Sequence, residues 1–113
     1  MDPDDLSDPS QAAVAYIRAR IAAGAFRVTQ HAQQEMFADA LTLDEVIEAL
    51  WSGDVLEDYP AHRRGACCLI GGRSGSGRFV HVVCTTGQPV VIIITVHEPT
   101  PPKWATPTQR RPR

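Results

Sequence analysis

The chain has few of the features that identify several classes of protein. It contains three cysteines and no Cys-x-x-Cys pair, so a disulfide framework and a structural zinc site of the usual spacing are not expected. Its longest apolar run, residues 90–96, is interrupted by Thr95 and is far shorter than the roughly 20 residues that a membrane-spanning helix needs. No apolar segment follows the acidic N-terminus, so no secretory signal peptide is predicted. We therefore expect a cytoplasmic protein without membrane contact, and we predict no metal and no cofactor.

Charge of one sign is also scarce over most of the chain. The 11 Lys and Arg residues and 13 Asp and Glu residues leave a net charge of −2, which excludes a global positive field that gathers nucleic acid. Residues 1–8 carry four aspartates and no base, whereas residues 103–113 carry four bases and no acid. Residues 1–9 are predicted to be a disordered acidic leader, residues 10–104 a single domain, and residues 105–113 a flexible basic tail.

The hydrophobic period changes from helical to strand-like halfway along the chain. Three helices are predicted, over residues 10–24, 30–40 and 42–53. Thr29 is predicted to cap the second helix, and Thr42 with Glu45 to form a capping box on the third. An extended link at residues 26–28 and four strands complete the prediction, the strands at residues 55–59, 66–71, 79–85 and 90–97. We predict an α+β fold in which three N-terminal helices pack on one face of a four-stranded antiparallel sheet.

Side chains alternate between two faces along the last two predicted strands. One face is apolar and is predicted to lie against the helices: Val80, Val82, Cys84, Val90, Ile92, Ile94 and Val96. The other face holds Phe79, His81, Val83, Val91, Ile93, Thr95 and His97. His81 is expected roughly opposite Ile93, and Phe79 roughly opposite Thr95. We predict a shallow, partly covered binding surface around His81, Thr95 and His97, with the alternative that both histidines are ordinary half-exposed strand residues.

The densest group of chemically versatile side chains lies between the first two predicted strands. It contains two acids, a tyrosine, a histidine and two adjacent arginines: Glu57, Asp58, Tyr59, His62, Arg63 and Arg64. Arg63 and Arg64 present planar guanidinium groups that suit phosphate or carboxylate. The segment is therefore predicted to bind an anion. In the alternative interpretation, the two arginines pair with the two acids of the same segment.

Two further pairs carry useful side chains. His31 and Glu35 stand four apart on the second predicted helix and therefore share a face. Glu35 could orient His31 as a general base, the pair could provide two metal ligands, or it could be a simple i,i+4 contact. Lys103 beside Trp104 is similar to the cation and stacking platform of nucleic-acid sites, although Trp104 could instead anchor the tail.

Several short motifs occur in a fixed order. They are His31-Ala32-x-x-x-Met36, Thr42-x-Asp44-Glu45-Val46, Glu57-Asp58-Tyr59-Pro60, Gly65-x-Cys67-Cys68-Leu69, His81-Val82-Val83, Thr95-x-x-Glu98-Pro99 and Pro101-Pro102-Lys103-Trp104. Over about residues 26–111 the chain resembles a group of small bacterial stand-alone proteins that contain a domain of unknown function. That group is more remotely similar to RelE and BrnT toxins, in which helices precede a curved antiparallel sheet. Glu35 departs from the pattern, since many relatives carry an arginine at this position.

The resemblance implies a RelE-like fold and a toxin-like, metal-independent endoribonuclease. Such an enzyme needs a base that removes the ribose 2′-hydroxyl proton and an acid that protonates the leaving oxygen. The candidate catalytic residues are His31, Glu35, His81 and Arg64. The candidate substrate-binding residues are Tyr59, His62, Arg63, Thr95, His97, Lys103 and Trp104. RNA and a cognate antitoxin are the partners that this hypothesis implies.

The alternative hypothesis is a non-catalytic binding module. The same sheet face and arginine segment would bind a partner protein or a small anionic ligand, and a sheet edge could pair with a second copy in a homodimer. The mildly negative net charge and the departure at Glu35 favour this hypothesis. The sequence leaves both hypotheses open, and with them the question of whether the protein is an enzyme.

Overall fold

The computed structural model describes residues 9–99, 104–106 and 108–110. The helices are α1 (Pro9–Ala22), α2 (Gln30–Ala38) and α3 (Leu43–Ser52). The strands are β1 (Phe26–Val28), β2 (Asp54–Tyr59), β3 (Cys67–Arg73), β4 (Phe79–Thr85), β5 (Val91–His97), β6 (Trp104–Thr106) and β7 (Gln109–Arg110). Among these helices, none is long and apolar enough to cross a membrane. Residues 1–8 of the predicted acidic leader lie outside the described part of the chain.

The main sheet has five strands in the order β1-β5-β4-β3-β2, and β6 and β7 form a separate two-stranded sheet. β1 pairs with β5 in parallel, while the other neighbours in the main sheet are antiparallel. The predicted RelE-like sheet of four antiparallel strands is therefore wrong, although the α+β class is confirmed. The helices do not all precede the sheet, because β1 comes before α2. Three residues are too few to show a strand period, so residues 26–28 were indistinguishable from a link.

The predicted helix caps are confirmed. The hydroxyl of Thr29 accepts a hydrogen bond from the backbone N–H of Ala32 at 3.0 Å. On α3, the Thr42 hydroxyl accepts the Glu45 N–H at 3.2 Å while a Glu45 carboxylate oxygen accepts the Thr42 N–H at 3.1 Å. This backbone contact with Thr42 also lowers the pKa of Glu45, which keeps the carboxylate charged at the start of the helix.

A β-bulge changes which residues of β5 face the helices. Val83 lies opposite Thr95, but Cys84 lies opposite Ile93, so Ile94 is an extra residue on β5. The bulge shifts the alternation of side chains between the two sheet faces by one residue. Both Ile93 and Val91 therefore lie in the core against the helices. Their predicted place on the opposite face was therefore wrong.

Other parts of the face prediction hold. Four residues predicted to face the helices are buried in the core: Val80, Val82, Cys84 and Val96. Val90, Ile92 and Ile94, which were predicted beside them, are only partly buried. The bulge also changes the cross-strand partners, since His81 lies opposite His97 instead of Ile93.

Helix α2 satisfies the part of the β5 edge that extends beyond the short strand β1. The Thr29 hydroxyl donates to the carbonyl of Ile94 at 3.1 Å. A Glu35 carboxylate oxygen accepts the N–H of Val96 at 3.0 Å, and an Asp39 carboxylate oxygen accepts the N–H of Glu98 at 3.1 Å. Three polar side chains, one in α2 and two at its caps, thus take the place of a neighbouring strand.

Arg78 connects this edge to the turn between α2 and α3. Its guanidinium donates to the carbonyls of Asp39 at 2.7 Å and Ala40 at 2.8 Å, and Ala40 has a positive φ of 53°. It also pairs with Glu98 at 2.6 Å and with Glu45 at 3.4 Å. The hydrogen bond with Glu98 is the main reason that the pKa of Arg78 is raised. Arg78 is therefore engaged within the fold and is not a free anion-binding group.

We expect Arg78→Ala to lower the melting temperature by roughly 5 °C or more, because two carbonyls and two carboxylates lose their shared donor. Arg73→Ala is the matched control. Arg73 is exposed and stacks on Phe79 with its guanidinium carbon 4.1 Å from the ring centre, so its loss should change the melting temperature by less than about 2 °C. Equal effects of the two substitutions in thermal unfolding would contradict the role given to Arg78.

Helix α3 approaches β3 closely at Gly72. A β-carbon at Gly72 would overlap the backbone carbonyl of Ala49, which belongs to α3. We expect Gly72→Ala to reduce the free energy of unfolding by about 3 kcal/mol, since either α3 or β3 must move. A β-carbon at Gly87 meets nothing within 4 Å, so Gly87→Ala should change this free energy by less than about 0.5 kcal/mol in urea unfolding. A Gly72→Ala protein as stable as the Gly87→Ala protein would show that the helix does not dock through its backbone.

Candidate functional site

The loop that joins β2 to β3, residues 60–66, is held by hydrogen bonds along its length. The Gly65 N–H donates to the carbonyl of His62 at 2.9 Å, and the Arg64 N–H donates to His62 Nδ1 at 3.1 Å. The Gln88 side-chain amide reaches from the turn after β4 and donates to the carbonyl of Arg64 at 2.6 Å. Gly65 has a φ of 97°, a conformation that residues with a β-carbon rarely adopt. The backbone that carries the two arginines is thus fixed in place.

The side chains of Arg63 and Arg64 are exposed at the tip of this loop. Within the described ranges, neither guanidinium forms an ion pair with a carboxylate. The alternative in which they pair with Glu57 and Asp58 is not observed there. Instead, the Tyr59 hydroxyl donates a hydrogen bond to the Glu57 carboxylate.

Three other arginines of the fold contact protein groups. Arg78 forms two ion pairs, Arg73 stacks on Phe79, and Arg20 lies 5.1 Å from the ring centre of Tyr16. Arg73 and Arg78, on either side of the turn between β3 and β4, therefore already contact the protein. Within the described residues, the two arginines of the loop form no ion pair and no stacking contact, and the same is true of Arg27 on β1.

The three cysteines are free and buried. The Cys67 thiol follows residues 60–66, the arginine loop. It donates a hydrogen bond to the carbonyl of Gly65 at 3.3 Å. Burial raises the pKa of Cys67, and the neighbouring Cys68 adds to this effect, while the positive charge of Arg64 opposes it. The Cys67 thiol is therefore ionised less readily than an exposed thiol.

A cavity of about 410 Å³ lies next to the loop. Pro9 and Ser10 at the start of α1 line it, together with Pro60 and Ala66 at the two ends of the loop. Most of its other walls are small or apolar side chains from α1, β2 and β3. The start of α1 and the arginine loop are therefore neighbours in the fold.

His81, predicted on an open surface, is fully buried with 0 % exposure. Its ring centre is 5.8 Å from that of His97, its cross-strand partner. On its other side lies Gly71, and the Leu56 side chain covers this glycine. Thr108, which precedes β7, lines a shallow cavity with Leu56 and Gly71, so the C-terminal strands approach the same face.

Thr95 lies on the same sheet face as His97, since it is two residues away on β5, and both are partly buried. The structure therefore brings His81, His97 and Thr95 to one face, but His81 has no contact with solvent. Lys103 lies outside the described residues. Trp104 begins β6, and only its backbone is described.

His31 and Glu35 form an i,i+4 contact with His31 Nε2 3.4 Å from a Glu35 carboxylate oxygen. The His31 side chain is 64 % exposed, whereas the same oxygen of Glu35 accepts the Val96 N–H at the edge of β5. Of the alternatives for this pair, the structure shows the contact itself and gives Glu35 a role in the sheet. In the described part of the chain, no group of three or more His, Cys, Asp or Glu side chains could hold a metal ion.

The four candidate catalytic residues are spread over the molecule. His31 and Glu35 lie beyond the outer edge of β5, and His81 lies inside the sheet on β4. Arg64 precedes Cys67, whose partner is Thr85 at the far end of β4. His81 and Thr85 are four residues apart, which is about 13 Å along a strand.

Gln88 is the one residue of the candidate site that the sequence did not indicate. It lies between the third and fourth predicted strands. Its side-chain amide donates to the carbonyl of Arg64, which lies 24 positions earlier in the sequence. No local pattern marks such a contact, because it depends on β3 and β4 being paired so that the two loops meet.

Residues 28–98 match the family model described as Domain of unknown function (DUF4258). This region is more than half of the chain, and it includes the arginine loop and Arg78 but not α1. No curated protein and no solved structure matches the chain, and nothing in these comparisons supports the expected similarity to RelE and BrnT toxins or a bacterial source. The resemblance to proteins that contain a domain of unknown function is confirmed, and the chain belongs to the DUF4258 family.

Proposed function

We propose that the protein is a non-catalytic binding module in which Arg63 and Arg64 bind an anionic group of a small ligand. The observation that supports this proposal is the state of the two guanidinium groups. They are exposed, they form no ion pair within the described residues, and their backbone is fixed by His62 and Gln88. A fixed backbone reduces the entropy that is lost when a ligand binds.

A phosphate-bearing ligand suits this loop better than a single carboxylate. Two adjacent guanidinium groups offer two planar forks of N–H donors, and a phosphate or pyrophosphate has enough oxygen atoms to accept from both. The loop is open to water, which weakens each contact. We therefore expect weak binding, with a Kd for pyrophosphate of about 1 mM at low ionic strength.

Catalysis has less support from the geometry. General acid–base cleavage of RNA requires side chains that reach the ribose hydroxyl and the leaving oxygen. His81 is buried, and Glu35 accepts a backbone hydrogen bond at the sheet edge. The endoribonuclease hypothesis, with RNA and an antitoxin as partners, stays a prediction, as does the homodimer.

We expect the double substitution Arg63→Gln/Arg64→Gln to weaken pyrophosphate binding at least tenfold, roughly the effect of losing two exposed charge-assisted contacts. Isothermal titration calorimetry, or amide chemical shifts of residues 62–66, would measure the affinity. Binding should also weaken as KCl rises from 20 to about 200 mM, because salt screens exposed charges.

Arg27→Gln is the matched control for this experiment. Arg27 is also an exposed arginine, but it lies on β1 at the opposite side of the sheet from β2. The Arg27→Gln protein should bind pyrophosphate with the same affinity as the native protein. Equal affinity of the loop variant and the native protein would refute the proposed site. Cleavage of single-stranded RNA by the native protein, lost in His81→Ala, would show that the protein is an enzyme.

A further inference from the structure

The chain enters α1 beside the arginine loop. Pro9 and Ser10 share the cavity of about 410 Å³ with Pro60 and Ala66, which bracket the loop. A cavity of this size spans about 10 Å, which is the length of three extended residues. Pro9, the first described residue, therefore lies within about 10 Å of the two ends of the arginine loop.

The residues that precede Pro9 have the charge that the loop binds. Residues 1–8 contain four aspartates and no lysine or arginine: Asp2, Asp4, Asp5 and Asp8. The two guanidinium groups of the loop form no ion pair within the described residues. A segment tethered this close to its binding site has an effective concentration of about millimolar or higher, so even weak contacts compete with a free ligand of similar affinity.

We propose that residues 1–8, the acidic segment, bind the Arg63–Arg64 loop and compete there with the anionic ligand. This inference rests on the anion-binding function proposed above and adds its regulation. The acidic segment lowers the apparent affinity for the ligand, and only a ligand that exceeds the local concentration of aspartate displaces it. High salt weakens both interactions, so the competition is strongest at low ionic strength.

The test compares two full-length variants with the same change in net charge. Asp4→Asn/Asp5→Asn removes two charges from the acidic segment. Asp44→Asn/Asp54→Asn is the control, since Asp44 and Asp54 are exposed acids at the starts of α3 and β2. We expect the acidic-segment variant to bind pyrophosphate about three- to tenfold more tightly than the native protein, and the control to change its affinity by less than about twofold.

A third protein combines Asp4→Asn/Asp5→Asn with Arg63→Gln/Arg64→Gln. If the aspartates act on the loop, their substitution has no further effect once the arginines are gone, and the two double substitutions are strongly non-additive. If Asp4→Asn/Asp5→Asn increased the affinity for pyrophosphate by the same factor in the Arg63→Gln/Arg64→Gln protein, the loop would not be the target of the aspartates. Equal affinities of the acidic-segment variant and its control would overturn the competition.

The binding measurements distinguish a failure of the proposed anion site from a failure of the proposed competition. If Arg63→Gln/Arg64→Gln weakens pyrophosphate binding but the acidic-segment variant behaves as the control, the anion site stands and the competition is refuted. If the arginine variant binds as the native protein does, the anion site is refuted and the competition with it. Amide shifts at Arg64 and Gly65 on substitution of Asp4 and Asp5, before any ligand is added, provide a second readout that we expect to be positive.

Discussion

The outer edge of β5 is the constraint on which much of this structure depends. β1 covers only the first three residues of that edge, and the backbone groups that follow need other partners. Thr29, Glu35 and Asp39 supply them from α2, and this fixes the helix against the sheet. The end of α2 then presents its last carbonyls to Arg78, which joins the helix turn to the ends of β4 and β5.

Some charged side chains of the protein therefore contribute to the fold, and others do not. Glu35, Glu45 and Arg78 have partners in the sheet edge, the helix cap and the turn, so they are part of the fold. The side chains of Arg63 and Arg64 take part in none of these contacts. They lie on a loop whose backbone is held by the side chains of His62 and Gln88. This difference supports the proposed function, because the two guanidinium groups form no ion pair within the described residues and can bind a ligand.

Local patterns in the sequence predicted the α+β class, the caps at Thr29 and Thr42, and the loop that carries the two arginines. They could not predict the parallel pairing of β1 with β5, because residues 26–28 are too short for a period and their partner is over sixty positions away. One extra residue, Ile94, was enough to reverse the predicted faces of Val91 and Ile93. Burial of His81 was equally hidden, since its neighbours Gly71 and His97 lie on the strands paired with β4.

The most direct test of this account is amide hydrogen exchange at Val96 and Glu98 in the native protein. Their N–H groups face away from β4, at an edge where the described part of the sheet has no further strand. If carboxylates of α2 accept them, both amides should exchange slowly, within about tenfold of the central amides of β4. Exchange at both positions close to the rate of an unprotected amide would contradict the account, since Glu35 and Asp39 would then be free for another role.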